Sequence, residues 1–164
     1  MPVAAADFDG DGKADLAVSV AAPDPPSDDL SRRPIQVDEI VLIRSWAREH
    51  TAHPSVVEAL TVLWQSRGSG VRATVERVLE GAGVWPRASL EVGSSLGVLA
   101  AVAAGLGAGF LPRSYVAQYA RAGLVQTTAL DAPDLQARFE VISATVDDLP
   151  VASRRIADGL RRVG

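Results

Sequence analysis

The chain contains no cysteine. That excludes disulfides, thiolate metal sites and cysteine nucleophiles, and it says nothing about compartment. Aromatic residues are scarce, at 5% of 164 positions, so Ala, Val, Leu and Gly must fill the core with small, closely packed side chains. Basic residues do not dominate: 16 Lys and Arg stand against 20 Asp and Glu, a formal charge of −4. Such a balance argues against a nucleic-acid-binding surface, which shows itself as a basic stripe. The clustered Arg154, Arg155, Arg161 and Arg162 fit the solvated end of a last helix instead. No apolar run approaches the length a bilayer requires. The opening "MPVAAADFDGDG" lacks the basic and apolar regions of a secretory signal. A cytoplasmic protein without membrane attachment is expected.

What is present suffices for a core: 48% of the residues are hydrophobic and 22% charged, in one domain or two small lobes. "KADLAVSVA" (Lys13 to Ala21) reads as a strand, and Pro23, Pro25 and Pro26 make "APDPPSDDLSRRP" a loop. "IQVDEIVLIR" (Ile35 to Arg44) is a strand long enough to pass from one lobe to another. Beyond a mixed segment ending near Leu60, strands and helices alternate. "TVLWQS" is a strand, Ser69 caps a helix over "GVRATVERVLEGAG", and "SLEV" is the next strand. A helix follows from Ser94 or Ser95 to about Ala104, then the strand "GAGFLP", a helix stopped by Gly123, and the strand "LVQTTAL". "ARFEVISATV" is a last strand, and Asp147 or Asp148 with Pro150 opens a C-terminal helix. This alternation predicts an α/β protein with a largely parallel sheet.

Several motifs invite a chemical reading. Gly93-Ser94-Ser95-Leu96-Gly97 matches G-x-S-x-G between a strand and a helix, the context of a hydrolase nucleophile. The two histidines, His50 and His53, both precede Ser95, whereas that hydrolase order places the histidine last. The same geometry has a quieter use, because a helix start offers unpaired N–H groups and a partial positive charge to carboxylates and phosphates. Ser69 begins a second helix in the same way. "GLGAGF" (Gly105 to Phe110) lies between a helix and a strand, the wrong order for a dinucleotide fingerprint, and "RGSGVR" lacks the lysine of a phosphate loop. Asp7, Asp9, Asp11 and Asp15 alternate around Gly12 as calcium ligands would, but Val18 stands where an EF-hand needs its glutamate. An acidic N-terminal turn is the alternative reading of that loop.

Taken in order, "WQSRGSGVRATVERVLEGAGVWPRASLEVGSSLGVLAAVAAGLGAGFLP" resembles the effector-binding domain of LysR-type transcriptional regulators. "ADLAVSV", "DEIVLI" and "LPVASRRIADGL" are similar to its flanking elements, so the resemblance covers roughly Ala14 to Gly164. It implies an α/β fold of two lobes like a periplasmic binding protein, with mainly parallel sheets. Residues 1–13 would be a flexible acidic segment, 14–40 with 138–164 a partial first lobe, and 41–137 the second lobe. It also implies a non-enzymatic, cofactor-free, oligomeric sensor of a small, often anionic effector in an interlobe cleft. By position the second lobe's side of that cleft would be lined by Ser66, Ser69, Gly70, Gly93, Ser94, Ser95 and Phe110. The family's helix-turn-helix has no counterpart in these residues, so no direct DNA contact is expected. The strand, helix and strand that precede "ADLAVSV" in the family are also missing, which would leave a sheet edge for a neighbouring copy. A transporter's solute-binding protein shares the fold and is the rival reading, together with a folded remnant that binds nothing.

Overall fold

Apolar strands recur along the chain, and from residue 51 on they alternate with capped helices. A computed structural model describes residues 4–6, 16–20, 30–45 and 51–144, with Arg155 and Gly159, both helical, from the C-terminal segment. The chain divides into two units: residues 1–37 with 138–164, and Asp38–Ala137. Asp7, Asp9, Asp11, Asp15 and His50 lie outside the described residues.

In the first unit, β2 (Leu16–Val20) lies antiparallel between β1 (Ala4–Ala6) and β9 (Gln136–Ala144). Within residues 1–13, expected to be a flexible acidic segment, the described residues form β1: Ala4 pairs with Val18 and Ala6 with Leu16. A short run of alanines is enough to cover the edge of β2 that would otherwise stand open. β3 (Leu30–Arg44) also starts earlier than the prolines suggested, and Pro34 lies inside it. β3 neighbours β9, and its pairing with β7 begins only at Ile40. Pro34 lies ahead of the residues of β3 that pair with β7. Val141 packs against Val18 and Ile35 as the unit's described core, and Arg32 pairs with Glu140.

The second unit is a six-stranded mixed sheet in the order β6-β5-β7-β3-β8-β4. β5 (Thr61–Gln65) runs parallel to β6 (Ala88–Gly93) and β7 (Ala108–Pro112). β8 (Gln126–Leu130) runs parallel to the short β4 (Thr51–Ala52). β3 is antiparallel to β7 and β8, because it enters from the first unit without a crossover helix. Helices α1 (Gly70–Gly81), α2 (Ser95–Ala103) and α3 (Arg113–Arg121) follow β5, β6 and β7 in turn. Their starts consequently lie at one end of the sheet.

β5 and β7 are apolar and buried along nearly their whole length, as strands covered on both faces must be. Val41, Ile43, Leu63 and Leu111 face α2 and α3, packing with Val98, Val102 and Val116. The alternate residues point the other way, where Trp64 stacks on Phe110 (6.0 Å between ring centroids) and Arg72 of α1 lies over the Trp64 ring. α2 approaches so closely that a Cβ at Gly109 would stand 2.5 Å from Val98 Cγ1, so that position needs glycine.

Candidate functional site

The loops after β5 and β6 are joined by backbone: Ser66 N–H donates to the Gly93 carbonyl at 2.9 Å, and Ser69 N–H to the Ser66 carbonyl at 2.9 Å. This brings the starts of α1 and α2 together. Ser69 caps α1, its hydroxyl oxygen accepting from Arg72 N–H at 3.4 Å. Ser94 caps α2, accepting from Gly97 N–H at 3.0 Å. Gly70 and Ser95 are the first residues of the two helices. Ser66, Ser69, Gly70 and Ser95 are half-buried, while Gly93 and Ser94 are exposed. Of the seven residues singled out from the sequence, six thus belong to one paired loop. Phe110 does not: its ring is fully buried against Trp64, and Gln65 Nε2 donates to its carbonyl at 2.9 Å. Its place at the strand end suggested the surface, but its side chain falls on the buried face that α1 covers.

The geometry also explains the G-x-S-x-G pattern. Gly93 has φ 97°, a left-handed conformation that the sharp strand-to-helix turn requires. Gly97 has no room for a side chain, since a Cβ would meet Val92 Cγ1 at 3.0 Å and Ser94 Oγ at 3.1 Å. Both glycines serve the cap. The described histidine, His53, is exposed with its Nδ1 3.0 Å from Ser55 Oγ.

Arg72 holds the two loops from beneath. Its Nη1 donates to the Gln65 carbonyl (2.8 Å) and to Glu91 (2.7 Å), and its Nε to Glu76 (2.8 Å). Burial works against the charge, but the bonds to Glu76 and Glu91 outweigh it and hold the pKa above the ordinary guanidinium value. One cation therefore ties the end of β5, the first turns of α1 and the edge strand β6. The i,i+4 spacing revealed its Glu76 pair, whereas Glu91, 19 residues away, carried no local signal. Gln65 is the buried polar residue of the run "TVLWQ", and its Oε1 is buried with no partner among the described residues.

The start of α3 is built differently. Its cap position is Pro112, which has no side-chain oxygen to offer. Asp38 on β3 reaches across instead, one carboxylate oxygen accepting from Ser114 N–H (3.0 Å) and Ser114 Oγ–H (2.5 Å). Beside it Arg113 Nε donates to Glu39 at 2.6 Å. A separate recess of about 520 Å³ lies beside α1, lined by Trp64, Arg67, Arg72, Glu76 and Trp85 among others. None of the seven sequence-derived residues lines it. Among the described residues no group of His, Asp or Glu is arranged to hold a metal ion, and no helix is long and apolar enough to cross a membrane.

Comparison with known proteins places this arrangement. The family model of the LysR substrate binding domain matches residues 8–164. The chain is 28% identical over 99 residues to the HTH-type transcriptional regulator GltR of Bacillus subtilis (strain 168), covering 60% of this chain and 33% of that protein. It is 35% identical over 127 residues to the phosphonates import ATP-binding protein PhnC of Anaeromyxobacter dehalogenans (strain 2CP-C), covering 74% of this chain and 25% of that protein. It thus spans a third or less of the curated relatives it matches. Its fold is similar to that of the Synechocystis PCC6803 CcmR regulatory domain in complex with 2-PG, at TM-score 0.77 and 21% identity. That match covers 92% of this chain and 74% of the other.

Proposed function

The chain belongs to the LysR substrate-binding domain family, and from that premise we propose that it senses a small anion at the paired starts of α1 and α2. The observation that carries this reading is the join of the two loops, which sets two serine-capped helix starts side by side, with no carboxylate bonded to either cap among the described residues. Ser66, Ser69, Gly70, Gly93, Ser94 and Ser95 would form the binding surface, with backbone N–H groups as donors. The role is binding without catalysis: the glycines around Ser95 serve the turn. Occupancy would act by favouring one conformation of the domain over another, in a cytoplasmic oligomer that reports to transcription. The acidic balance of the chain supports no DNA surface of its own.

The test is a titration with small carboxylates, phosphate and phosphonates, followed by calorimetry and thermal melting. A ligand at a hundred times its dissociation constant should add about 2.7 kcal/mol, a shift of several degrees. Ser94→Asp keeps a capping oxygen but places a carboxylate at the α2 start, and it should weaken binding at least tenfold while the fold melts no lower. Absence of any anion effect on the wild type, or an unchanged affinity in Ser94→Asp, would refute the reading. A second reading, a solute-binding role in transport, takes its candidate ligand from the 35% identical relative named for phosphonate import, which is itself named as the ATP-binding protein. Selective binding of a phosphonate over carboxylates of equal charge would support it.

A further inference from the structure

A second recess lies at the opposite end of the second unit's sheet from the serine helix starts. β5 and β7 begin at that end, and β3 finishes there in Arg44 and Ser45. The recess is about 270 Å³ and is bordered by Arg44, Ser45, Thr61 and the turn Gly105–Ala108. Two glycines shape its border. Gly105, with φ 78°, ends α2 and faces Ser45, whose Oγ would be 3.9 Å from a Cβ there. At Gly107 a Cβ would stand 2.6 Å from the Thr61 carbonyl oxygen, so no other residue lets β5 and β7 start so close together.

Among the described residues Arg44 is the one charged residue in this lining. It is half-buried, and among the described residues it has no carboxylate partner. Arg32, Arg72 and Arg113 each have a glutamate. Arg44 Nη2 donates to the neutral Thr128 Oγ1 at 3.0 Å, and its buried Nε has no acceptor among the described residues. A cation at this depth ordinarily finds an anion, since desolvating it otherwise goes uncompensated. The end of α2 does not supply one. Three carbonyls near that end are taken by its own turn: Ala100 by Ala104 N–H (3.0 Å), Val102 by Gly105 N–H (2.9 Å) and Ala101 by Leu106 N–H (3.0 Å).

We propose that this recess binds a small oxyanion, a phosphate, sulfate or carboxylate group, with the Arg44 guanidinium as its charge and the Ser45 hydroxyl as a second donor. The planar guanidinium suits such groups because its N–H donors match the spacing of two oxygens. This site is separate from the effector surface of α1 and α2, at the other end of the same strands.

Backbone amide NMR of the full chain, titrated at constant ionic strength with inorganic phosphate and with glycerol phosphate, tests the assignment. Saturable shifts are expected at Ser45 and at Gly105 to Ala108. Arg44→Gln should weaken this response at least tenfold, and Arg44→Lys, which keeps charge but loses the fork, should fall between. Glutamine can still donate to Thr128, and unchanged resonances elsewhere will show that the fold persists. Ser94→Asp should leave the response intact. Tighter binding of the ester than of the free ion identifies the occupant as a phosphate carried on a larger molecule, and equal binding as the ion itself. The proposal fails if these amides do not shift in the wild type, if Arg44→Gln binds as the wild type does, or if Ser94→Asp abolishes the shifts.

Discussion

α1, α2 and α3 begin at the same end of one sheet, yet their first turns are closed by different chemistry. At α1 and α2 a neutral serine accepts one N–H, from Arg72 at 3.4 Å and from Gly97 at 3.0 Å. At α3 the carboxylate of Asp38 accepts both the N–H and the hydroxyl of Ser114. A helix start carries the equivalent of about half a positive charge, so a carboxylate meets what a serine leaves unmet. The α3 start meets a carboxylate from within the chain, whereas among the described residues the caps of the other two are neutral serines. The contrast is internal to one sheet, so differences in overall environment do not explain it.

The largest effect expected on the folded state comes from breaking the completed start. Asp38→Ala leaves two donors of Ser114 without their acceptor and should cost about 1–2 kcal/mol, read by urea denaturation. Asp38→Asn should recover most of that, since its amide oxygen still accepts from Ser114 N–H. A neutral Asp38→Ala would break the comparison. A smaller effect is expected at the open starts: Ser94→Ala should cost about 1 kcal/mol, and Ser69→Ala less, because its cap bond is longer. A saturating anion should offset part of both losses by bonding the same N–H groups, and it should offset none of the loss in Asp38→Ala.

Those open starts were legible in the sequence, because a serine after a strand and before an apolar helical run is a local signal. The completed start was not: Asp38 and Ser114 are 76 residues apart, and only the β3–β7 pairing brings them together. The same limit hid the Arg72 bond to Glu91, while the i,i+4 bond to Glu76 was plain. Phe110 was misplaced for a different reason. Its strand was evident, but in a strand buried on both faces no alternation of polarity shows which way a ring points. The loop read from Pro23, Pro25 and Pro26 erred in the opposite sense, since its last residues, Leu30 to Pro34, already belong to β3.

The smallest effect expected is a titration in the first turns of α3. Tyr115 lies there with its pKa raised from the ordinary phenol value of 10.0, by burial first and by the neighbouring Tyr119 second. A positive helix end alone would pull it the other way, by favouring phenolate. Because the folded-state value lies above the unfolded one, the unfolded chain loses this proton first. The contribution to stability is therefore complete below about pH 10 and disappears as the pH rises through the folded-state value. Melting temperatures should fall above that pH, slightly less steeply in Tyr115→Phe. The Asp38 carboxylate should also be felt at this phenol. Removing its charge in Asp38→Asn should let phenolate form at a lower pH, followed by ultraviolet absorbance with Tyr115→Phe as the reference that identifies the signal. If the absorbance titration is the same with and without that charge, Asp38 is a hydrogen-bonding cap and no more, and the difference between the closed and open helix starts reduces to the number of donors each satisfies.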